Sequence, residues 1–164
     1  MDDKEIVRRT LTQSRHHYRL IIEKYGDFLY GLGMRLTRGD KYLAEDISQE
    51  AFLRSYKYLH NFDSSQNFKK WLVGIFYNSF KDAIRKNRHD EALDENMVSQ
   101  TTIEPSYASF FDLIKYLTDD EKIVFTLKYI YEYSNSEISE ITNIKERQLK
   151  EVIKNGKGKI SEQL

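Results

Sequence analysis

Residues 46–59, DISQEAFLRSYKYL, read as a helix with two usable faces. Leu43, Ile47, Ala51 and Tyr58 recur at steps of four, four and seven, which places them on one stripe suited to a core. Asp46, Gln49, Glu50, Leu53 and Lys57 form a second stripe, acidic at one end, basic at the other and apolar in the middle. One apolar face is enough to join a core. The second face is left without a task inside the chain.

The pattern extends outward from this helix in both directions. Upstream, Tyr18, Ile21, Ile22, Tyr25, Leu29, Leu32 and Leu36 keep the 3.6 period over residues 16–36, and RGDK at 38–41 follows as a turn signal. Downstream, HNFDSSQN at 60–67 has loop composition. FKKWLVGIFYNSFKDAIRKNR at 68–88 returns to helix, with Phe68, Leu72, Ile75, Ser79 and Ala83 on one side. Residues 89–108 are acidic and polar and hold the single proline, so they bury little surface and read as a linker. The chain is therefore expected to be all-α, with two small helical domains at 1–88 and 109–164.

The second domain carries its own punctuation. Thr118 with Glu121, and Ser134 with Glu137, have capping-box spacing, so each pair starts a helix. The first of these helices is expected to run through about Tyr131. Asn143 stands where a helix would end in a left-handed turn, and a final helix begins near Lys145. A short helix, a tight turn and a polar helix outline a helix-turn-helix. An ordinary helical hairpin has the same outline. Gly156 and Gly158 would each cost about 1 kcal/mol against alanine in that last helix, which is expected to fray early.

Composition narrows the chemistry. The 164 residues include no cysteine, which removes disulfides, thiolate metal sites and cysteine nucleophiles and is consistent with a cytoplasmic setting. No apolar run approaches the roughly 18 residues of a spanning helix, and the charged start MDDKEIVRRT is unlike a secretory signal. His16, His17, His60 and His89 offer no i, i+4 metal pair, and no phosphate loop or nucleophile elbow is present. Catalysis is not expected. The net charge of zero hides a pattern. Residues 1–88 carry 17 Lys and Arg against 11 Asp and Glu, a difference of +6, while residues 89–108 hold five carboxylates and no Lys or Arg. An acidic linker of this kind imitates a nucleic-acid backbone or serves as a soluble tether.

The third helix adds a polar, mostly basic line: Lys70, Gly74, Tyr77, Lys81, Arg85 and Arg88, at steps of 4, 3, 4, 4 and 3. At 1.5 Å per residue it runs roughly 27 Å. Cations interleaved with rings suit single-stranded nucleic acid, where phosphates are held and bases stacked. A solvated basic face is the competing explanation.

Three segments carry a resemblance. YGDFLYGLGMRLTRGDKYLAEDISQEAFLRSYKYLHNF at 25–62 resembles region two of bacterial RNA polymerase sigma factors of the extracytoplasmic-function (ECF) class in the sigma-70 family. FKKWLVGIFYNSFKDAIRKNR resembles the DNA-facing helix that follows, with its F-x-x-W-L start and with Asn78, Asp82 and Arg85 at its end. SEISEITNIKERQLKEVI at 136–153 resembles the helix-turn-helix of region four.

The resemblance implies a non-catalytic initiation subunit, without cofactor or metal, that brings RNA polymerase core to a set of promoters and helps open them. Asp46, Gln49, Glu50, Leu53 and Arg54 would dock on a coiled coil of the polymerase's largest subunit. Asn61, Asp63 and Ser64 would capture a flipped base of the minus-ten element. Lys70, Tyr77, Asn78, Lys81 and Arg85 would hold its strand, and Trp71 would anchor the helix. Lys145, Arg147, Gln148, Lys150, Glu151 and Lys154 would meet the minus-thirty-five element. An anti-sigma factor is a further implied partner, and membrane insertion is not expected. Gly74 and Tyr77 depart from the family, which often has arginine after W-L, and Val152 and Asn155 also stand where arginine is common. Residue pattern alone leaves two rivals: a helix-turn-helix regulator acting without polymerase, and a helical adaptor that binds only protein.

Overall fold

The computed structural model describes residues 1–93 and 108–163, and every regular element among them is helical. Of the acidic segment read as a linker, residues 94–107 lie outside the described residues.

The first half has four helices: α1 (Asp3–Thr12), α2 (Arg19–Leu36), α3 (Lys41–Lys57) and α4 (Phe68–Leu93). The first of them lies ahead of the residue at which the hydrophobic period begins. It starts at Asp2, whose carboxylate accepts from the Glu5 N–H, and it buries Ile6, Val7 and Thr10. Asp3 fixes it to α2 by an ion pair with Lys24 at 2.8 Å and by accepting the Tyr25 hydroxyl. The predicted turn after α2 forms with Arg38 (φ 55°) and Gly39 (φ 87°) in left-handed conformations. Helices α2 and α3 approach closely, since a Cβ on Gly33 would sit 3.1 Å from that of Ala44. Ile47 and Ala51 fill the core as expected, but Tyr58 at the end of that stripe is 45% exposed. The helix is already finishing there, and Tyr58 acts as its C-terminal cap residue.

Helix α4 runs to Leu93, five residues past the expected boundary at 88. Phe68, Leu72, Val73, Phe76, Tyr77 and Phe80 are all buried, which is more of its circumference than one core could cover. A helix apolar on several sides needs partners on several sides. Here α3 packs on one side and the second half of the molecule on the other.

That second half comprises α5 (Ala108–Ile114), α6 (Asp119–Phe125), α7 (Asn135–Thr142) and α8 (Glu146–Glu162). Both capping boxes form in full, at Thr118 and at Ser134. Helix α6 passes into a π turn at Thr126–Ile130, closed by the Tyr131 N–H on the Thr126 carbonyl at 3.2 Å. Asn143 ends α7 in the left-handed conformation (φ 61°), so α7, the turn and α8 make the helix-turn-helix. Ile138 and Ile141 of α7 belong to the same apolar cluster as Leu72, Val73 and Phe76 of α4. A second, small cluster of Ile114, Leu117 and Phe125 lies under α8.

The expected fraying of the last helix is not observed. Helix α8 continues through both glycines to Glu162. A Cβ on Gly156 would lie 2.4 Å from the Phe125 ring, whereas one on Gly158 would meet nothing within 4 Å. The low helix propensity at 156 is offset by the ring that packs there. Gly158→Ala is accordingly expected to stabilise the fold by about 1 kcal/mol, while Gly156→Ala destabilises it despite the same gain in propensity. Urea denaturation of the two variants checks this, and equal shifts in the same direction would contradict it.

Candidate functional site

Three surfaces carry the polar side chains singled out above. The first is the outer side of α3. Asp46, Gln49, Glu50 and Leu53 all face solvent, with Leu53 65% exposed. The second stripe of this helix is thus uncovered within the chain. Asp46 and Glu50 line a groove of about 520 Å³ between α3 and the far half of α4, together with Asp82, Lys86 and Asp90. Arg54 differs from its neighbours in being tied down, by Glu50 and by Asp82 of α4, each at 2.9 Å. It links two helices and holds Glu50 in place.

The second surface comprises the loop before α4 and the line along that helix. Asn61, Asp63 and Ser64 are exposed. Asp63 accepts from the Ser65 N–H at 2.9 Å and the Ser65 hydroxyl at 2.8 Å, a local turn that fixes the loop. The Ser65 N–H is the main reason its carboxyl titrates below the usual range. The Asn67 side chain caps α4 by accepting the Lys70 N–H at 2.9 Å. Trp71 packs on Phe62 and Phe68, with ring centroids 5.1 and 5.6 Å away, as an anchor should.

The line itself is divided. Asn78 and Arg85 are exposed, and Lys81 lies 4.9 Å from the centroid of the Tyr77 ring. Nearer the start of α4, Lys70 is paired with Glu137 at 3.3 Å and Glu140 at 3.7 Å, both on α7. Tyr77, expected as an exposed stacking ring, is 1% exposed. Its hydroxyl donates to Asp120 of the second half. Burial raises the phenol's pKa, and the adjoining carboxylate raises it further. The correction has a simple cause. The side of α4 that looks free in sequence is covered by α6 and α7.

The third surface is the outside of α8. Arg147, Gln148, Lys150, Glu151 and Lys154 are exposed, as is Lys145 just before the helix. Lys145, Arg147, Gln148 and Glu151 border a groove of about 680 Å³ that also includes Asp120, Ile144, Val152 and Asn155, while Lys150 and Lys154 lie on the adjoining basic face. On that face they are joined by Lys128 and Lys157, which the sequence reading did not single out. The spacing of Lys150, Lys154 and Lys157 at i, i+4 and i+7 was the available signal for one of them. Lys128 comes from the π turn, and no pattern in sequence connects it to α8. Among the described residues no cluster of His, Asp or Glu is arranged to hold a metal.

Comparisons with known proteins agree with this geometry. Residues 21–89 match the model of Sigma-70 region 2, and residues 108–160 that of Sigma-70, region 4. The ECF RNA polymerase sigma factor SigW of Bacillus subtilis is 35% identical over 164 aligned residues, covering 88% of this chain and 87% of SigW. SigM of the same organism is 31% identical over 143 residues, covering 81% and 86%. Among solved structures, CnrH in complex with the cytosolic domain of CnrY is similar with a TM-score of 0.71 at 18% identity, covering 97% of this chain and 94% of that one. RpoE in complex with the anti-sigma factor NepR, from Bartonella quintana, also gives 0.71, at 16% identity and 88% and 94% coverage. A region 2 carrying the two-faced helix, followed in order by a region 4 carrying the helix-turn-helix, places the chain in the sigma-70 family, among its ECF sigma factors.

Proposed function

We infer that the chain is an alternative sigma factor, which directs RNA polymerase core to particular promoters and assists in opening them. The observation that carries this reading is the presence of both sigma regions, in order, with the outer stripe of α3 uncovered. A duplex-binding regulator has no use for that stripe. Carboxylates around an apolar centre suit a basic protein partner, because they accept charge-assisted hydrogen bonds while Leu53 supplies the dry middle. Asp46, Gln49, Glu50 and Leu53 therefore dock the polymerase coiled coil, with Arg54 holding Glu50. Asn61, Asp63 and Ser64 read the flipped minus-ten base, and Lys70, Asn78, Lys81 and Arg85 hold its strand. Helix α8 reads the minus-thirty-five element through Arg147 and Gln148, whose side chains match guanine and adenine edges. Lys145, Lys150, Glu151 and Lys154 flank them.

An anti-sigma factor fits as a regulatory partner, since the Bartonella RpoE is solved with the anti-sigma factor NepR. The setting is the cytoplasm, where the polymerase works. No helix among the described residues is long and apolar enough to cross a membrane.

Run-off transcription with purified core polymerase on a genomic promoter library tests the function. A discrete set of transcripts that depends on the protein is expected. Duplex binding with no such transcripts would return the chain to the class of plain regulators. In the same assay Lys81→Ala is expected to reduce permanganate reactivity at the minus-ten element by about tenfold, on the scale of one lost charge-assisted contact. Unchanged reactivity would place the strand elsewhere.

A further inference from the structure

We propose that the chain binds a phosphate-class oxyanion between the α2–α3 turn, the end of α4 and the start of α6, held by Arg38, Arg88 and Lys122. Arg38 stands in the turn after α2, in the left-handed conformation. Its Nε is the one buried side-chain polar atom among the described residues that has no hydrogen-bond partner. Lys122 lies in the first turn of α6 and is half-buried, yet its ammonium makes no hydrogen bond or ion pair among the described residues. Arg88, near the end of α4, reaches Asp119 at the start of α6 at 2.9 Å. Helix α2 packs against α6, and the three cations are close enough to act on one another. Burial does most to lower the Lys122 pKa, Asp119 opposes it, and the Arg38 and Arg88 guanidiniums lower it further.

Charge taken out of water needs a partner. The other carboxylates of these elements are engaged elsewhere. Asp40 caps α3 by accepting the Leu43 N–H at 3.1 Å. Asp120 accepts the Tyr77 hydroxyl, and Glu121 is taken by Lys159. Asp90 lies in the groove beside α3. Asp119 is left facing three cations, an excess of two positive charges. A phosphate dianion cancels that excess, whereas a single carboxylate would leave one charge over. Phosphate also matches the donors, since a guanidinium grips its oxygens through a planar fork and an ammonium acts as a point charge. None of the three cations is among the residues assigned above to the promoter, so the inference stands apart from that reading. The phosphate has two sources, a free ion or nucleotide end and the backbone of a nucleic acid.

Inorganic phosphate is the probe, titrated into the full chain at constant ionic strength with chloride as the balancing ion. Equilibrium dialysis of labelled phosphate should give one saturable site. The urea midpoint should rise with the logarithm of phosphate once the site fills, which general salting of the surface does not do. Lys122→Met and Arg38→Gln should each weaken phosphate by about tenfold, on the scale of one lost charge-assisted contact. In chloride alone Lys122→Met should be no less stable than the parent, because it removes a half-buried cation that has no counterion there. A lysine with a purely structural role would make that variant weaker. Arg88→Gln, on the exposed rim, should weaken phosphate severalfold and serves if the other two variants fail to fold. Lys115→Met, which alters an exposed cation beside Tyr116, should bind phosphate as the parent does.

A short oligonucleotide without a terminal phosphate separates the two sources. Displacement of bound phosphate by it would assign the site to a nucleic-acid backbone, and failure to displace would assign it to a free phosphate or nucleotide end. Binding that does not saturate, an affinity unchanged in all three variants, or an equal loss in Lys115→Met would each overturn the site.

Discussion

Replacing Asp46 and Glu50 together with lysine is expected to abolish binding to core polymerase while leaving the helical content of the protein intact. Both side chains are solvent-facing on α3, and neither belongs to the apolar cluster that holds the first half together. Reversal turns two attractive contacts with a basic partner into repulsive ones. Losing a buried, hydrogen-bonded charge pair costs about 2–5 kcal/mol, so two reversals should lower affinity by a factor on the order of a thousand or more. Glu50 also receives Arg54, whose guanidinium keeps Asp82 as a second partner. Glu50→Gln is therefore the control, since it loosens that link without reversing a charge and should cost far less. Co-purification with core polymerase, read beside circular dichroism, decides the matter. Undiminished binding by the double variant would move the docking surface off this helix.

What the sequence made legible was local. The capping boxes at Thr118 and Ser134 and the left-handed Asn143 each depend on residues within four positions, and each formed as read. The two stripes of α3 separated as their periodicity required, up to Tyr58, where the helix ran out. The readings that failed depended on partners distant in the chain. Tyr77 meets Asp120, 43 residues later. Gly156 is stabilised by a ring on another helix, so its propensity was a poor guide to where α8 ends. Periodicity identifies a face that could be buried or solvated, but what covers it depends on how the two halves meet. The same limit applies to the proposed site. The uncovered side of α3 could be read from its pattern, whereas the covered side of α4 could not. Lys128 joins Lys150, Lys154 and Lys157 only through the π turn that brings it there.

The second large effect is expected at Glu121, which starts α6 and ties it to α8. Its side chain is 5% exposed, its carboxylate accepts the Thr118 N–H at 2.9 Å, and Lys159 donates to both of its oxygens. Burial alone would raise its pKa, but the Lys159 ammonium and the Thr118 N–H outweigh burial and hold it below the ordinary value of 4.5. A carboxyl with a lowered folded pKa stabilises the fold fully above its unfolded value, and that contribution is lost as pH falls through the folded one. Lys159→Met removes the partner and leaves a buried carboxylate short of compensation. At neutral pH this should cost about 2 kcal/mol, below the usual 3–5 for a broken buried pair because Lys159 is itself 37% exposed and partly screened. Near pH 3 the carboxyl is largely protonated in the unfolded chain and, without its cation, in the folded variant as well. The penalty should shrink there. Glu121 and Lys159 both belong to the second half, so the loss at neutral pH should appear in the unfolding of the second half before the first. Urea midpoints for parent and variant at the two pH values give the comparison. An equal penalty at both would mean that Lys159 contributes through the packing of its stem and that the charge on Glu121 is of no consequence to the fold.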